Sequence, residues 1–108
     1  MNQAAVTGEQ YVGGIVGDNS GTVNACWNTG AVSGSSYAIG GIVGSNSMDS
    51  EGIGGMVKNC INTGSVIGST HSIGGVAGSI NAGTVENCYN TGDVTGTCLL
   101  YTSDAADE

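Results

Sequence analysis

Val23-Asn24-Ala25-Cys26-Trp27-Asn28-Thr29-Gly30-Ala31-Val32-Ser33-Gly34 returns at residues 57–68 and 85–96, each time as V-x-[AN]-C-x-N-T-G-x-V-x-G. Ahead of each copy stands a Gly-Gly-apolar-apolar-Gly block, at residues 13–17, 40–44 and 74–78. Ala5-Val6-Thr7-Gly8 matches the close of a repeat, so the chain reads as opening in mid-repeat. From Cys26 to Gly40 and from Cys60 to Gly74 the spacing is 14 residues both times. From the first Gly of each pair to the next Cys it is 13, 20 and 14. All variation in length therefore falls in one connection, and the second copy carries an insertion near 46–55. A fixed segment alternating with one variable loop is the signature of stacked repeats whose insertions are expelled to one face.

The segments are short, rich in Val, Ile and Thr, and punctuated by Gly and Asn-Thr-Gly, which predicts strand–turn–strand units. No window sustains a 3.6-residue apolar period, so no helix is expected. Three strands per repeat are expected, near Val12–Val16, Val23–Trp27 and Ala31–Ser33, with Gly supplying positive φ in the turns. A unit of 27 or 28 residues cannot bury an apolar face alone. Stacked copies can, each strand pairing with its equivalents above and below. The fold class is thus all-β: a parallel β-solenoid of about three stacked repeats plus a partial N-terminal one. Its parts are residues 1–10, the end of a repeat and a linker; 11–36, the first repeat; 37–70, the second with its insertion; 71–97, the third; and 98–108. Removal of residues 46–52 is expected to leave the fold intact.

Composition narrows the function. The chain holds 21 Gly, no Pro, one Lys, no Arg and nine acids, a formal charge of −8. One basic residue cannot neutralise a nucleic-acid backbone, so nucleic acid is excluded as a partner. No run of about 18 apolar residues exists, so no membrane insertion by this segment is expected.

Comparing the copies assigns columns. Val32, Val66 and Val94, Cys26, Cys60 and Cys88, and Asn28, Asn62 and Asn90 are constant and read as structural columns. Asn24, Lys58 and Glu86 vary and read as solvent-facing. Val23 and Cys26 are three apart, which breaks strict alternation and predicts a bend at Ala25, Asn59 and Asn87. The cysteines suit a stack of small buried hydrophobes. Thiols in parallel register converge poorly on a metal, and a disulfide between rungs is allowed by Cα spacing but strained by side-chain direction. The asparagines read as turn-holding amides that hydrogen-bond along the column. Gly-Gly-x-x-Gly lacks the helix and the Lys of a phosphate loop. Asp18, Asp49 and Glu51 are expected in the variable loop and His71 on a turn. No catalytic constellation, metal site or cofactor site is found. Trp27, Ile61 and Tyr89 share an outward column, in which Trp27 and Tyr89 are the candidate ligand contacts.

The repeats resemble the GLUG-motif family, on Gly14-Ile15-Val16-Gly17, Gly41-Ile42-Val43-Gly44 and Gly75-Val76-Ala77-Gly78 together with the N-C-x-N-T-G-x-V-x-G segment that follows. The resemblance covers almost all of residues 5–97. It implies a non-enzymatic, extracellular structural or spacer region of a large bacterial or archaeal surface, adhesin-like protein. The partners it implies are flanking repeats of the same parent chain. The alternative is an adhesive module that contacts host glycan or protein through the aromatic column or the loop of the second repeat. Cys98-Leu99-Leu100-Tyr101-Thr102-Ser103-Asp104-Ala105-Ala106-Asp107-Glu108 departs from the repeat and resembles a translated sequencing-library adaptor, a non-native tail expected not to pack.

Overall fold

The structure, a computed structural model, describes residues 1–68, 71–95 and 98–99, with the backbone alone at 71, 98 and 99. The tail beyond Leu99 and the last repeat position, Gly96, lie outside the described residues. The chain winds as a parallel β-solenoid. It begins with β1 (Val6–Gly8) and then makes a full turn through β2 (Val12–Gly13), β3 (Val16–Asn19), β4 (Thr22–Asn24), β5 (Trp27–Asn28) and β6 (Val32–Gly34). The second turn comprises β7 (Ile39–Gly40), β8 (Val43–Asn46), β9 (Met56–Lys58), β10 (Ile61–Asn62) and β11 (Val66–Gly68). The third comprises β12 (His71–Gly74), β13 (Ala77–Ile80), β14 (Thr84–Glu86), β15 (Tyr89–Asn90) and β16 (Val94–Thr95), and β17 (Cys98–Leu99) follows.

Equivalent strands stack into five parallel sheets. Register follows the repeat residue by residue: Val6, Val32, Val66 and Val94 align, as do Val12, Ile39 and Ile73, and Trp27, Ile61 and Tyr89. Two apolar clusters fill the interior. One gathers Val23, Ile42, Val43, Val57, Cys60, Val76, Ala77 and Cys88, the other Val12, Val32, Ile39, Val66 and Ile73. Each enclosed Val or Ile contributes about 1.5–3 kcal/mol. Val32 and Val66 are fully buried, and Val94 is half-buried.

Each repeat has five strands where the sequence suggests three, because the turns of the coil are sharper than a bulge. At Ala25, Asn59 and Asn87 the chain turns through the left-handed region, with φ of 58°, 57° and 53°. This is the bend that the Val–Cys spacing predicts. A second left-handed corner, at Tyr11, Ala38 and Ser72, has φ of 53°, 63° and 61° and is not signalled by residue type.

Glycine does a different job from the one expected. Among the described glycines only Gly52 and Gly83 have positive φ. The repeat glycines instead permit close approach: a Cβ on Gly64 would strike the carbonyl of Gly30, and one on Gly92 the carbonyl of Gly64.

Three further placements differ from expectation. Asp18 lies in β3, opposite Ser45, where Ser47 donates to its Oδ1 at 2.9 Å. His71 begins β12 and does not sit on a turn. Cys98 and Leu99 pair in parallel with His71 and Ile73, across a register shift, so pairing continues past residue 97. A solenoid's last rung presents a row of unpaired backbone groups that accepts any extended segment, whatever its side chains.

The insertion resolves to residues 48–54. Ser47 and Gly55 bracket it, and the Gly55 amide donates to the Ser47 carbonyl at 2.7 Å. Excising the seven residues leaves Asn46-Ser47-Gly55-Met56-Val57, the counterpart of Asn19-Ser20-Gly21-Thr22-Val23 in the first repeat. Asn46 is fully buried and belongs to the frame, so a deletion of 46–52 removes more than the loop.

Candidate functional site

The Asn column forms a continuous amide ladder. Nδ2 of Asn28 donates to Oδ1 of Asn62 at 2.7 Å, and Nδ2 of Asn62 to Oδ1 of Asn90 at 2.7 Å. Each amide also caps its own turn, donating to the carbonyl of Gly30, Gly64 or Gly92. Asn62 thereby uses both Nδ2 hydrogens and its oxygen, and Asn28 and Asn62 have no exposed surface. Opposite them, Gly14, Gly41 and Gly75 lack the Cβ that would collide with Asn28, Asn62 and Asn90 respectively. The ladder is thus a structural spine closed to ligand.

The ladder also extends beyond the three predicted residues. Asn2 donates to Asn28 Oδ1 at 2.8 Å and to the Ala4 carbonyl at 2.8 Å, repeating the motif with Ala in place of Gly. A second, shorter ladder runs from Asn19 to Asn46 at 2.9 Å, and Asn46 also caps Gly55 and Ala82. Its column ends there because Ile80 stands opposite Asn46 in the third repeat.

Asn28, Asn62 and Asn90 turn inward, so their neighbours Trp27, Ile61 and Tyr89 turn outward on the same three strands, in register. Trp27 is 44% exposed and Tyr89 53%, with Ile61 half-buried between them. Met1 precedes Asn2, which bridges to Asn28, and continues the row as a fourth residue, exposed like Trp27 and Tyr89. The row runs one residue per rung at about 4.8 Å. On the preceding strands Asn24, Lys58 and Glu86 stack in register as a polar column.

Cys26, Cys60 and Cys88 are thiols in successive rungs; Cys60 and Cys88 are fully buried and Cys26 is half-buried. The Cys60 thiol is pushed far above its ordinary range by hydrogen bonding with Cys88, and further by burial. No group of three or more His, Cys, Asp or Glu suited to a metal occurs among the described residues.

The 48–54 loop is a small hairpin with Met48 and Gly54 bridged. Asp49 caps it from within, Oδ1 accepting the amides of Glu51 and Ile53 at 2.9 Å each. Met48 and Ile53 are exposed at its surface. Tyr11 and Tyr37 meet edge to face, with ring centres 5.5 Å apart.

Residues 69–95 match the family described as the GLUG motif. The third repeat is a GLUG motif. Its strands pair in register with those of the second copy, which pair in turn with the first, and both earlier copies carry the same Gly-apolar-apolar-Gly signature. Comparison with curated proteins and with solved structures returned no match. The described residues contain no helix long and apolar enough to cross a membrane. In these repeats the constant Asn and Gly columns hold one rung to the next, and the variable Trp27–Ile61–Tyr89 column faces outward.

Proposed function

We propose that this chain is a non-catalytic spacer region of a large extracellular, adhesin-like surface protein of bacterial or archaeal type, working alongside flanking repeats of its parent chain. The observation that carries this reading is the division of labour between columns. Asn28, Asn62 and Asn90 bond to one another, the repeat glycines admit the neighbouring backbone, and Val32 and Val66 fill the interior. Constant residues directed at neighbouring rungs are what a stalk requires, since length then grows by adding copies without redesign. Small-angle scattering on one, two and three tandem copies of residues 12–95 tests the spacer. Maximum dimension is expected to grow by about 14 Å per copy of three rungs, and a constant dimension overturns it. Protease shaving of intact cells expressing the tagged parent tests the location, and exclusive cytosolic recovery overturns that part.

A second reading, adhesion to host glycan or protein, is favoured by the in-register row of Trp27, Ile61 and Tyr89, whose two aromatic members are exposed. Stacking on aromatic faces suits the apolar faces of sugar rings. Glycan-array binding that Trp27→Ala and Tyr89→Ala both abolish supports adhesion, and binding that survives both rejects this surface.

A further inference from the structure

The cysteine column does not take part in either functional reading. Cys26 and Cys60 sit at the left-handed corner between β4 and β5 and between β9 and β10, just outside the strands. Backbone hydrogen bonds bracket the pair: the Ala25 amide donates to the Lys58 carbonyl at 3.1 Å and the Ile61 amide to the Cys26 carbonyl at 2.9 Å. Cys60 and Cys88 are bracketed alike, by Asn59 to Glu86 at 3.2 Å and Tyr89 to Cys60 at 2.9 Å. Adjacent cysteines are therefore one rung apart, about 4.8 Å, inside the Cα window of a disulfide. Cys26 and Cys88 are two rungs apart and outside it.

Access separates the three. Cys26 is half-buried, with its sulfur 3.4 Å from the Asn24 carbonyl, whereas Cys60 and Cys88 are enclosed. Cys60 donates to the Lys58 carbonyl at 3.1 Å, which keeps its thiol at the corner, one rung from Cys26. Both cysteines stand outside the named strands, and at a rung's separation their Cβ atoms need close by only ~1 Å for a disulfide.

We propose that Cys26 and Cys60 form a reversible thiol–disulfide pair oxidised by low-molecular-weight disulfides, Cys26 attacking and Cys60 resolving. In the first step the Cys26 thiolate attacks RS–SR. The S–S bond breaks, Cys26–S–SR forms, and the leaving thiolate takes up the proton Cys26 gave away. In the second step Cys60 loses its proton and attacks the Cys26 sulfur, and the second RS group leaves as RSH. Two protein thiols become one disulfide while RSSR is reduced to two RSH. Cys60 is fully enclosed, which keeps it from solvent reagents until the mixed disulfide lies one rung away. A bond that draws the corner inward is easily reduced. The chemistry is independent of the spacer reading, and its test says nothing about that reading.

The experiment uses the 108-residue chain with Cys98→Ser, so that the fourth cysteine cannot trap the intermediate. The folded protein is incubated with hydroxyethyl disulfide at pH 8, quenched in acid, alkylated after denaturation and mapped by mass. The expected product has a Cys26–Cys60 linkage and an alkylated Cys88, reversed by submillimolar dithiothreitol. Cys26→Ser is expected to slow all thiol loss at least tenfold. Cys60→Ser and Cys60→Ala, each checked for β structure by circular dichroism, are expected to stop at a mixed disulfide on Cys26. A parent chain that stops at the mixed disulfide overturns the proposal. So does a Cys60–Cys88 linkage that forms at an undiminished rate in Cys26→Ser.

Discussion

Nδ2 of Asn28 donates in two directions, to Oδ1 of Asn62 in the next rung at 2.7 Å and to the carbonyl of Gly30 in its own turn at 2.9 Å. One side chain thus closes a turn and locks that turn to its neighbour. Among the described residues no buried side-chain nitrogen or oxygen lacks a hydrogen-bond partner. Such fully satisfied networks specify a unique register, because a slip by one residue would bury unpaired amides.

Asn62 is the central member, so its removal breaks the ladder on both sides. Asn62→Ala leaves the Gly64 carbonyl and Asn90 Oδ1 without this donor, and Asn28 without its acceptor. At about 1–3 kcal/mol per buried group left unsatisfied, a loss of roughly 3 kcal/mol or more is expected in urea melts. A loss below about 1 kcal/mol would show that water replaces the amide readily.

Two glycine-to-alanine changes are expected to have opposite outcomes. Gly64→Ala drives a Cβ into the Gly30 carbonyl, a backbone atom that cannot yield without parting two rungs. Loss of the folded state is expected by circular dichroism. A Cβ on Gly21 meets nothing nearer than Asn19 Oδ1 at 3.9 Å, and its φ is not positive. Gly21→Ala is expected to be neutral or to stabilise by up to about 1 kcal/mol, through a less flexible unfolded chain.

The solenoid and its columns were legible because repetition supplies its own alignment: a residue identical in three copies must serve a contact made three times. Where a column is broken, that signal fails. Asn19 and Asn46 form a ladder that Ile80 interrupts, and Asn2 sits in a copy whose turn residue is Ala4. Tyr11, Ala38 and Ser72 share one left-handed corner, yet share no side-chain chemistry. Geometry there is imposed by the stacked backbone, with residue type left free, so composition is silent. The two extra strands per repeat follow from the corners. The strand at Cys98–Leu99 depends on a neighbour's open edge, which no local pattern encodes.

Deleting residues 48–54 joins Ser47 to Gly55 and restores the connection of the first repeat. Unfolding free energy is expected to stay within about 1 kcal/mol of the parent or to rise, since shortening a loop lowers closure entropy. Deleting 46–52 takes away Asn46, its bond to Asn19 and its caps on Gly55 and Ala82, and is expected to lower the midpoint markedly. Equal melting of the two variants would mean that the second ladder is dispensable.

Ala25 is the one corner residue of its column that is not Asn, and it is exposed. Alanine resists the left-handed region by roughly 1–2 kcal/mol, whereas Asn enters it more readily. Ala25→Asn, which copies Asn59 and Asn87, is expected to raise stability by about 0.5–1 kcal/mol. A destabilised variant, measured by denaturant titration, would show that the corner's strain is relieved elsewhere.

Alkaline stability is expected to depend on Cys60. Folding raises its thiol far above the ordinary value, by hydrogen bonding with Cys88 and by burial. The folded chain then keeps a proton that the unfolded chain loses above about pH 8.5. The contribution is complete below that pH and declines as pH rises past it, by at most about 1.4 kcal/mol per unit for one proton. Tyr11 is also raised, by its hydrogen bond to Tyr37, so Tyr11→Phe serves as the background for the comparison. In that background, urea unfolding between pH 7.5 and 10.5 is expected to show a falling slope that Cys60→Ala flattens, even though the substitution lowers stability at neutral pH by opening a small cavity. Parallel curves with and without Cys60 would mean that its thiol ionises alike in the folded and unfolded chains.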